Sequence, residues 1–488
     1  FDDRLVGMMV SDDGPRPLED YLSERMPRQT TPPGRWSRYT NHGYALAGLA
    51  IERAAQRPFA TAVNDLVFEP LGMPSSTFIE PIPSEIESRL ARAYPCPDLA
   101  CESVPITFRH TGPAGALVSN ASDMFAFVAA VIADDGPLKA AAAMALRPHW
   151  RAHTATPAIG MGWHEQKIAG HTAWAHAGGS SGYRSLLILL PDIASGIFLV
   201  TSGGESAIGP EAVTSFGRIL PEIPRRDRRP LPAPDESAGY AGAYELARAP
   251  RANYERFPAR FLFGEALVLD EQGYVVRRGP SKARTYGQAS TDVLESLDDP
   301  ASAIVFSRDA SGRVRAMFAV DEFFGIGFPA TYLRLADWQS PRAMNEILSW
   351  LVGRPLLVGL LWGFAELVRR RVQKRSQRVY PIAAGAIALA LTAAQLVFAF
   401  GFLARFNAMA RAAPETLAAG LPVALQQLLW LPWVIASLTA IGAGAIAYAA
   451  YRKLPRTWFD QVALAVVVTC AMGFTYLLVD FRLLPPAQ

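Results

Sequence analysis

The spacing of apolar positions changes twice along the 488 residues. From Leu18 to Ile132 it is helical, from Ile159 to Leu335 it is that of short strands, and after Met344 apolar residues merge into long runs. The helical part predicts a short helix over Leu18 to Met26 and a longer one from His42 to Gln56. In the longer helix Ala45, Leu46, Leu49 and Ala50 make the apolar face and Asn41 is placed as the cap. A third helix is expected over Phe59 to Val67. A fourth follows the cap-rich run Ser119 to Ser122, with Met124, Phe125, Phe127, Val128, Val131 and Ile132 facing a core. The strand part starts near Gly160-Met161-Gly162-Trp163. Thr172 to His176 reads as a strand stopped by Ala177-Gly178-Gly179. Arg184 to Leu190 and Gly196 to Thr201 read as a hairpin around Pro191-Asp192, apolar enough on both faces to be central strands.

Pro221 to Glu236, with five prolines, has nothing to bury and is read as a linker. Residues 237–338 alternate short apolar strands with Gly and Asp turns, which predicts a small antiparallel sheet or barrel without an obvious catalytic cluster. Residues 339–488 hold four candidate membrane spans, about 347–368, 381–403, 421–449 and 459–479. Arg354 and Pro355 interrupt the first. Either Arg354 snorkels to the interface, or the span begins later and Met344 to Val352 lies along the surface. The loop Arg369 to Arg378 carries six basic residues and Arg452 to Arg456 three, whereas Arg405 to Thr416 has two and one acid. The positive-inside rule puts the first and third loops in the cytoplasm and residues 1–338 outside it.

Composition agrees with a multidomain chain: half the residues are hydrophobic, and the excess lies in the last third. The net charge of +3 calls for no polyanionic partner, and topology accounts for the basic loop at Arg369, so no nucleic-acid partner is expected. Three cysteines cannot build a disulfide framework. Cys96 and Cys101 are either a bridge, permitted outside the cytoplasm, or two free thiols. His149 and His153 are spaced like metal ligands but lack a Glu-x-x-His context and a third ligand, so neither metal nor cofactor is implied.

Two constellations carry chemistry: Tyr39-Thr40-Asn41 and His176-Ala177-Gly178-Gly179. The run Pro33 to Met73 around the first resembles the Tyr-x-Asn segment of serine β-lactamase-like proteins: class C β-lactamases, DD-peptidases and related esterases. Pro113-Ala114-Gly115-Ala116-Leu117-Val118-Ser119 through Asp123-Met124 resembles their Pro-Ala-Gly-Gly-Leu-x-Ser-x-x-Asp-Leu stretch. Gly160-Met161-Gly162-Trp163 and His176-Ala177-Gly178 are similar to the glycine-rich strand and the His-x-Gly form of the third motif. Four motifs in order, over residues 1–220, identify this part as a member of that superfamily. The resemblance implies an α/β fold, a mixed sandwich of antiparallel sheet and helical subdomain, incomplete at its N-terminus.

The family works through an acyl-enzyme. The resemblance makes Tyr39 the general base, directly or through a relay, and gives Asn41 a hydrogen bond to the substrate amide or to the family's lysine. His176 takes the place of the lysine of the third motif, on the edge strand. Gly178 and Gly179 would admit a substrate backbone, and a main-chain N–H at Gly179 or Ser180 would supply half an oxyanion hole. Trp163, Trp174 and Arg184 either line the cleft or pack. An ordinary tyrosine ionises near pH 10, so a base at Tyr39 requires a neighbouring cation.

The expected partners are a small-molecule or peptide substrate, cell-wall fragments included, and the lipid bilayer. A neutral His holds a substrate carboxylate less well than Lys, which favours peptidase or esterase over β-lactamase. One departure stands out: none of the five lysines has a serine three residues before it. Gly136, His164, Gly279, Arg371 and Ala450 fill those positions. The expectation is a multi-pass membrane hydrolase whose nucleophile lies upstream of this sequence. The alternatives are a catalytically dead or a β-lactam- or muropeptide-sensing membrane protein.

Overall fold

The computed structural model describes residues 4–484 except 5, 11–13, 95, 97–100, 134, 181, 204–207, 224–229, 263, 279–282, 300, 373–378, 413–416, 418–419 and 453–457. Much of the linker centre and of the two basic loops therefore lies outside the described residues. The chain divides into two compact units. One is Phe1–Ala249 with Glu265–Leu335 and Ala418–Gly420; the other is Pro250–Gly264 with Ala336–Leu417 and Leu421–Gln488.

In the first unit, α1 (Leu18–Arg25) packs on α2 (Asn41–Ala55) through Tyr21, Leu22 and Ala45. Asn41 is not the cap of α2. Thr40, in extended conformation, takes that place, and Asn41 is the first helical residue. The reason is local: the Thr40 carbonyl already accepts the Gly43 N–H at 3.1 Å. The Asn41 amide is thus not spent on capping. α3 (Phe59–Val63) continues as a π-helical turn over Asn64–Phe68. The helix Ala121–Ile132 is capped by Asn120, whose side chain accepts the Asp123 N–H at 2.9 Å.

A four-stranded antiparallel sheet runs β3 (His164–Ile168), β4 (His171–Ser180), β5 (Tyr183–Leu190), β6 (Ser195–Thr201). Two expectations are corrected here. β4 is not stopped by its glycines but pairs with β5 through Gly178↔Ser185, Gly179↔Arg184 and Ser180↔Tyr183. β6 is an edge strand, not a central one. It is apolar because helices cover both sheet faces. Leu186, Ile188, Leu190, Ile197 and Leu199 pack towards Val213 and Phe216 of the helix Ile208–Ile219. Leu187, Leu189 and Phe198 pack towards Met124 and Val128 of the helix Ala121–Ile132. β4 itself is an edge strand only in part: β3 pairs with His171–Ala175, and His176–Ser180 extend beyond that pairing.

A closed antiparallel barrel follows: β7 (Gly242–Leu246), β8 (Gly264–Leu269), β9 (Val275–Arg278), β10 (Arg284–Ser290), β11 (Val293–Ser296), β12 (Ala303–Arg308), β13 (Val314–Phe323) and β14 (Ile326–Arg334). β13 and β14 are joined by a tight hairpin with Phe323 opposite Ile326. Phe324 and Gly325 both have positive φ (49° and 89°), the geometry a two-residue hairpin turn selects. Sequence reading missed a polar cluster here. Arg277 donates to Glu265 Oε1 at 2.8 Å and to Asp321, and the Tyr332 hydroxyl donates to Asp321 Oδ2 at 2.7 Å. All four residues are buried, so the cluster braces the barrel and offers no access to a substrate.

The second unit is helical. Among the described residues, three of its helices are long and apolar enough to cross a membrane: Ala386–Met409, Val423–Tyr451 and Gln461–Asp480. Ala388 and Leu391 interlock with Ala463, Leu464, Val467, Val468 and Ala471. Hydroxyls buried among them are satisfied within their own helices, Thr392 to the Ala388 carbonyl and Thr439 to that of Ile435. The first expected span is part of one continuous helix, Pro341–Val372, which takes in Met344 to Val352 and has Pro355 inside it. The Arg354 guanidinium lies over the Trp350 ring.

Candidate active site

Rings from three segments meet beside β4. Tyr39 ends the loop before α2, Tyr44 lies in the first turns of α2, and His176 is in the middle of β4. The Tyr39 and Tyr44 rings are 5.6 Å apart, and each is 6.3 Å from His176. His164, at the start of β3, stacks on His176 at 5.8 Å. His176, Gly178 and Ser180 alternate onto one face of β4.

The fourth segment brings a cation. Arg109 lies in the short strand β2 (Phe108–Arg109), paired with β1 (Met9–Val10). Its side chain is buried and donates to Ser180 Oγ at 2.6 Å. Its backbone N–H donates to Glu80 Oε1 at 3.0 Å. The Pro113-Ala114-Gly115 turn makes this arrangement possible at two points. Gly115 has φ +115°, and a Cβ there would stand 3.2 Å from Arg109 Nε. On the other side, Pro113 presses against Gly48 of α2, where a Cβ would come within 2.2 Å of the proline ring. The motif therefore ties Arg109 to the helix that follows Tyr39.

Electrostatics set the charge at the site. Burial holds His176 below the usual imidazole range, and burial together with His176 pushes His164 down to about 4. Both rings are neutral at pH 7. His176 can exchange hydrogen bonds there but is not a cation. The positive charge comes from Arg109, which burial disfavours but which Glu80 and an ionised Tyr39 support. Glu80 is itself pushed up to about 7 by burial, against the pull of Arg109. Tyr44 is pushed up by burial and then by the charge of Tyr39, so it stays protonated.

Residues 8–212 match the family model described as Beta-lactamase. They form a β-lactamase-family domain. Solved structures similar to the chain include SurE with D-Leu, at 19% identity over 67% of this chain and 76% of that one (TM-score 0.41). The β-lactamase/D-alanine carboxypeptidase of Yersinia pestis complexed with citrate is 23% identical over 40% and 56% (TM-score 0.32). The D-amino acid amidase of Ochrobactrum anthropi SV3 complexed with D-phenylalanine is 21% identical over 44% and 68% (TM-score 0.36).

Within the β-lactamase domain, Tyr39 lies beside His176, and Ser180 lies four residues further along β4. Asn41 stands at the same helix end. Gly178 and Gly179 are also crowded from within the protein. A Cβ on Gly178 would lie 2.6 Å from Ser185 Oγ, and one on Gly179 would lie 3.0 Å from Phe323 Cζ. Both positions are small because neighbouring residues of the protein already press on them. Sequence reasoning missed Arg109, His164 and Tyr44. A signal was available for Arg109, the residue four before the Pro-Ala-Gly turn, and for His164, directly after Gly160-Met161-Gly162-Trp163. Cys96 and Cys101, left open above, are joined in a disulfide.

Proposed function

We propose that this protein is a membrane-anchored serine hydrolase acting outside the cytoplasm by acyl transfer on a peptide, ester or β-lactam carbonyl. The observation that carries the reading is the placing of Tyr39 beside His176 and of Arg109 on Ser180, along the second half of β4. Tyr39 acts as general base, a role worth roughly 10²–10⁴ in rate. Asn41 docks the substrate amide. The neutral His176 and the Ser180 hydroxyl hydrogen-bond the substrate, and Arg109 supplies the positive charge near a developing oxyanion or substrate carboxylate. With the histidine neutral, peptidase or esterase chemistry is favoured over β-lactamase chemistry. The attacking serine is assigned to a Ser-x-x-Lys segment that these 488 residues do not contain.

That missing motif is also what favours the second reading, a catalytically dead or sensing membrane protein. The two are separated by the coding frame upstream and by labelling. The protein carrying the whole frame is treated with a fluorescent penicillin and with a fluorophosphonate. The hydrolase reading expects a Ser-x-x-Lys upstream and labelling by at least one probe, lost in Tyr39→Phe and kept in His153→Ala. Absence of the motif, or labelling indifferent to Tyr39, sinks it. Labelling by penicillin without turnover is the outcome of a sensor.

A further inference from the structure

The barrel touches the β-lactamase domain at the catalytic tyrosine itself. Arg248 lies in the turn directly after β7, and its guanidinium carbon is 5.0 Å from the Tyr39 ring centroid. One buried residue of the barrel sets both sides of that contact. Thr331 of β14 is fully buried. Its carbonyl accepts the Ala247 N–H at 2.7 Å, one residue before Arg248. Its hydroxyl accepts the Ser37 N–H at 3.1 Å, two residues before Tyr39. The Ser37 hydroxyl adds a bond to the Pro329 carbonyl at 3.1 Å. A second seat lies at β3, where the Gln166 side chain pairs with both backbone groups of Gly327, accepting its N–H at 2.9 Å.

We propose that the barrel completes the catalytic site, with Arg248 as a positioning residue that holds the Tyr39 ring and favours its phenolate. The inference rests on the reading of Tyr39 as the base. A base phenol needs a nearby cation, and a cation within about 4–6 Å lowers an acidic group's ionisation midpoint by roughly one to three units. The groups facing Tyr39 include Tyr44 from α2, His176 from β4, Arg109 from β2 and Arg248 from the barrel, with His164 behind His176. The phenol and the two imidazoles are uncharged at pH 7. Two guanidinium groups, one from each fold, therefore act on Tyr39. Arg109 is also engaged with Ser180, and Arg248 lies on the ring face.

The test follows the tyrosine directly. The full chain is labelled with [13Cζ]tyrosine in detergent, and the Tyr39 signal is assigned by its loss in Tyr39→Phe. The expected result is a midpoint for Tyr39 about one unit higher in Arg248→Gln, restored in large part by Arg248→Lys. Thr331→Val, which keeps the shape and removes the acceptor for Ser37, moves the midpoint the same way with Arg248 in place. A Tyr39 midpoint unchanged in both Arg248→Gln and Thr331→Val overturns the proposal, whatever the labelling outcome above. A shifted midpoint in a protein that no acylating probe labels would instead retain the barrel's role and overturn the hydrolase reading.

Discussion

Two half-buried groups at the site oppose each other as the pH changes. His164 is held down to about 4 by burial and by His176. An imidazole whose folded value lies below its unfolded value contributes stability that is present above about 6.5 and is lost as pH falls through about 4. Glu80 is raised to about 7 by burial. Its contribution has the opposite sign: present below about 4.5, lost as pH rises through 7. Between pH 6.5 and 4.5 the two partly cancel in the native protein. His164→Gln should therefore lose less thermal stability than the native chain on acidification over that window. Glu80→Gln should lose more, the difference in each case being roughly a few degrees in Tm. Melting curves at several pH values check this, and parallel profiles for all three proteins would refute it.

Among the elements, α2 is organised by a residue it lacks. An added Cβ at Gly48 would come within 2.2 Å of Pro113. Alanine is the better helix former by about 1 kcal/mol, but overpacking typically costs about 1–3 kcal/mol. Gly48→Ala is expected to lower Tm and, by displacing the Pro113 turn, to weaken the placing of Arg109. A Tm equal to or above the native value would show that the turn yields freely. The same helix illustrates what was legible in the sequence. Its span, α1 and the β5–β6 hairpin follow from local periodicity, because each buries a face whose spacing is written in neighbouring residues. The order of the sheet does not, because an edge strand covered by helices on both faces carries the same apolar run as a central one. The glycines of β4 mislead for a related reason. They keep the strand in register under Ser185 and Phe323, whereas a local reading sees only breakers. Arg109 joins Ser180 across 71 residues and Arg248 meets Tyr39 from beyond the linker, at distances no periodicity reaches.

At the scale of the whole molecule, the sidedness of the β-lactamase domain depends on one helix. Three helices are apolar and long enough to cross a bilayer, and Pro341–Val372 precedes them. The basic run Arg369 to Arg378 begins in the last turn of that helix, and the positive-inside rule predicts a cytoplasmic place for its six positive charges. If Pro341–Val372 crosses, the domain before it is outside; if it does not, domain and loop share the cytoplasm. The Cys96–Cys101 disulfide belongs to an oxidising compartment and so favours the crossing, although Arg354 in mid-helix adds about 2.5–3.5 kcal/mol against insertion. We predict that the helix crosses. In intact cells a membrane-impermeant maleimide should label Met161→Cys, an exposed position of the β-lactamase domain, without lysis. Ser376→Cys, in the basic loop, should be labelled only after the membrane is opened. Labelling of both positions on the same side would mean that Pro341–Val372 does not span. The hydrolase would then face the cytoplasm, where that disulfide would be kept reduced and a cell-wall substrate would be out of reach.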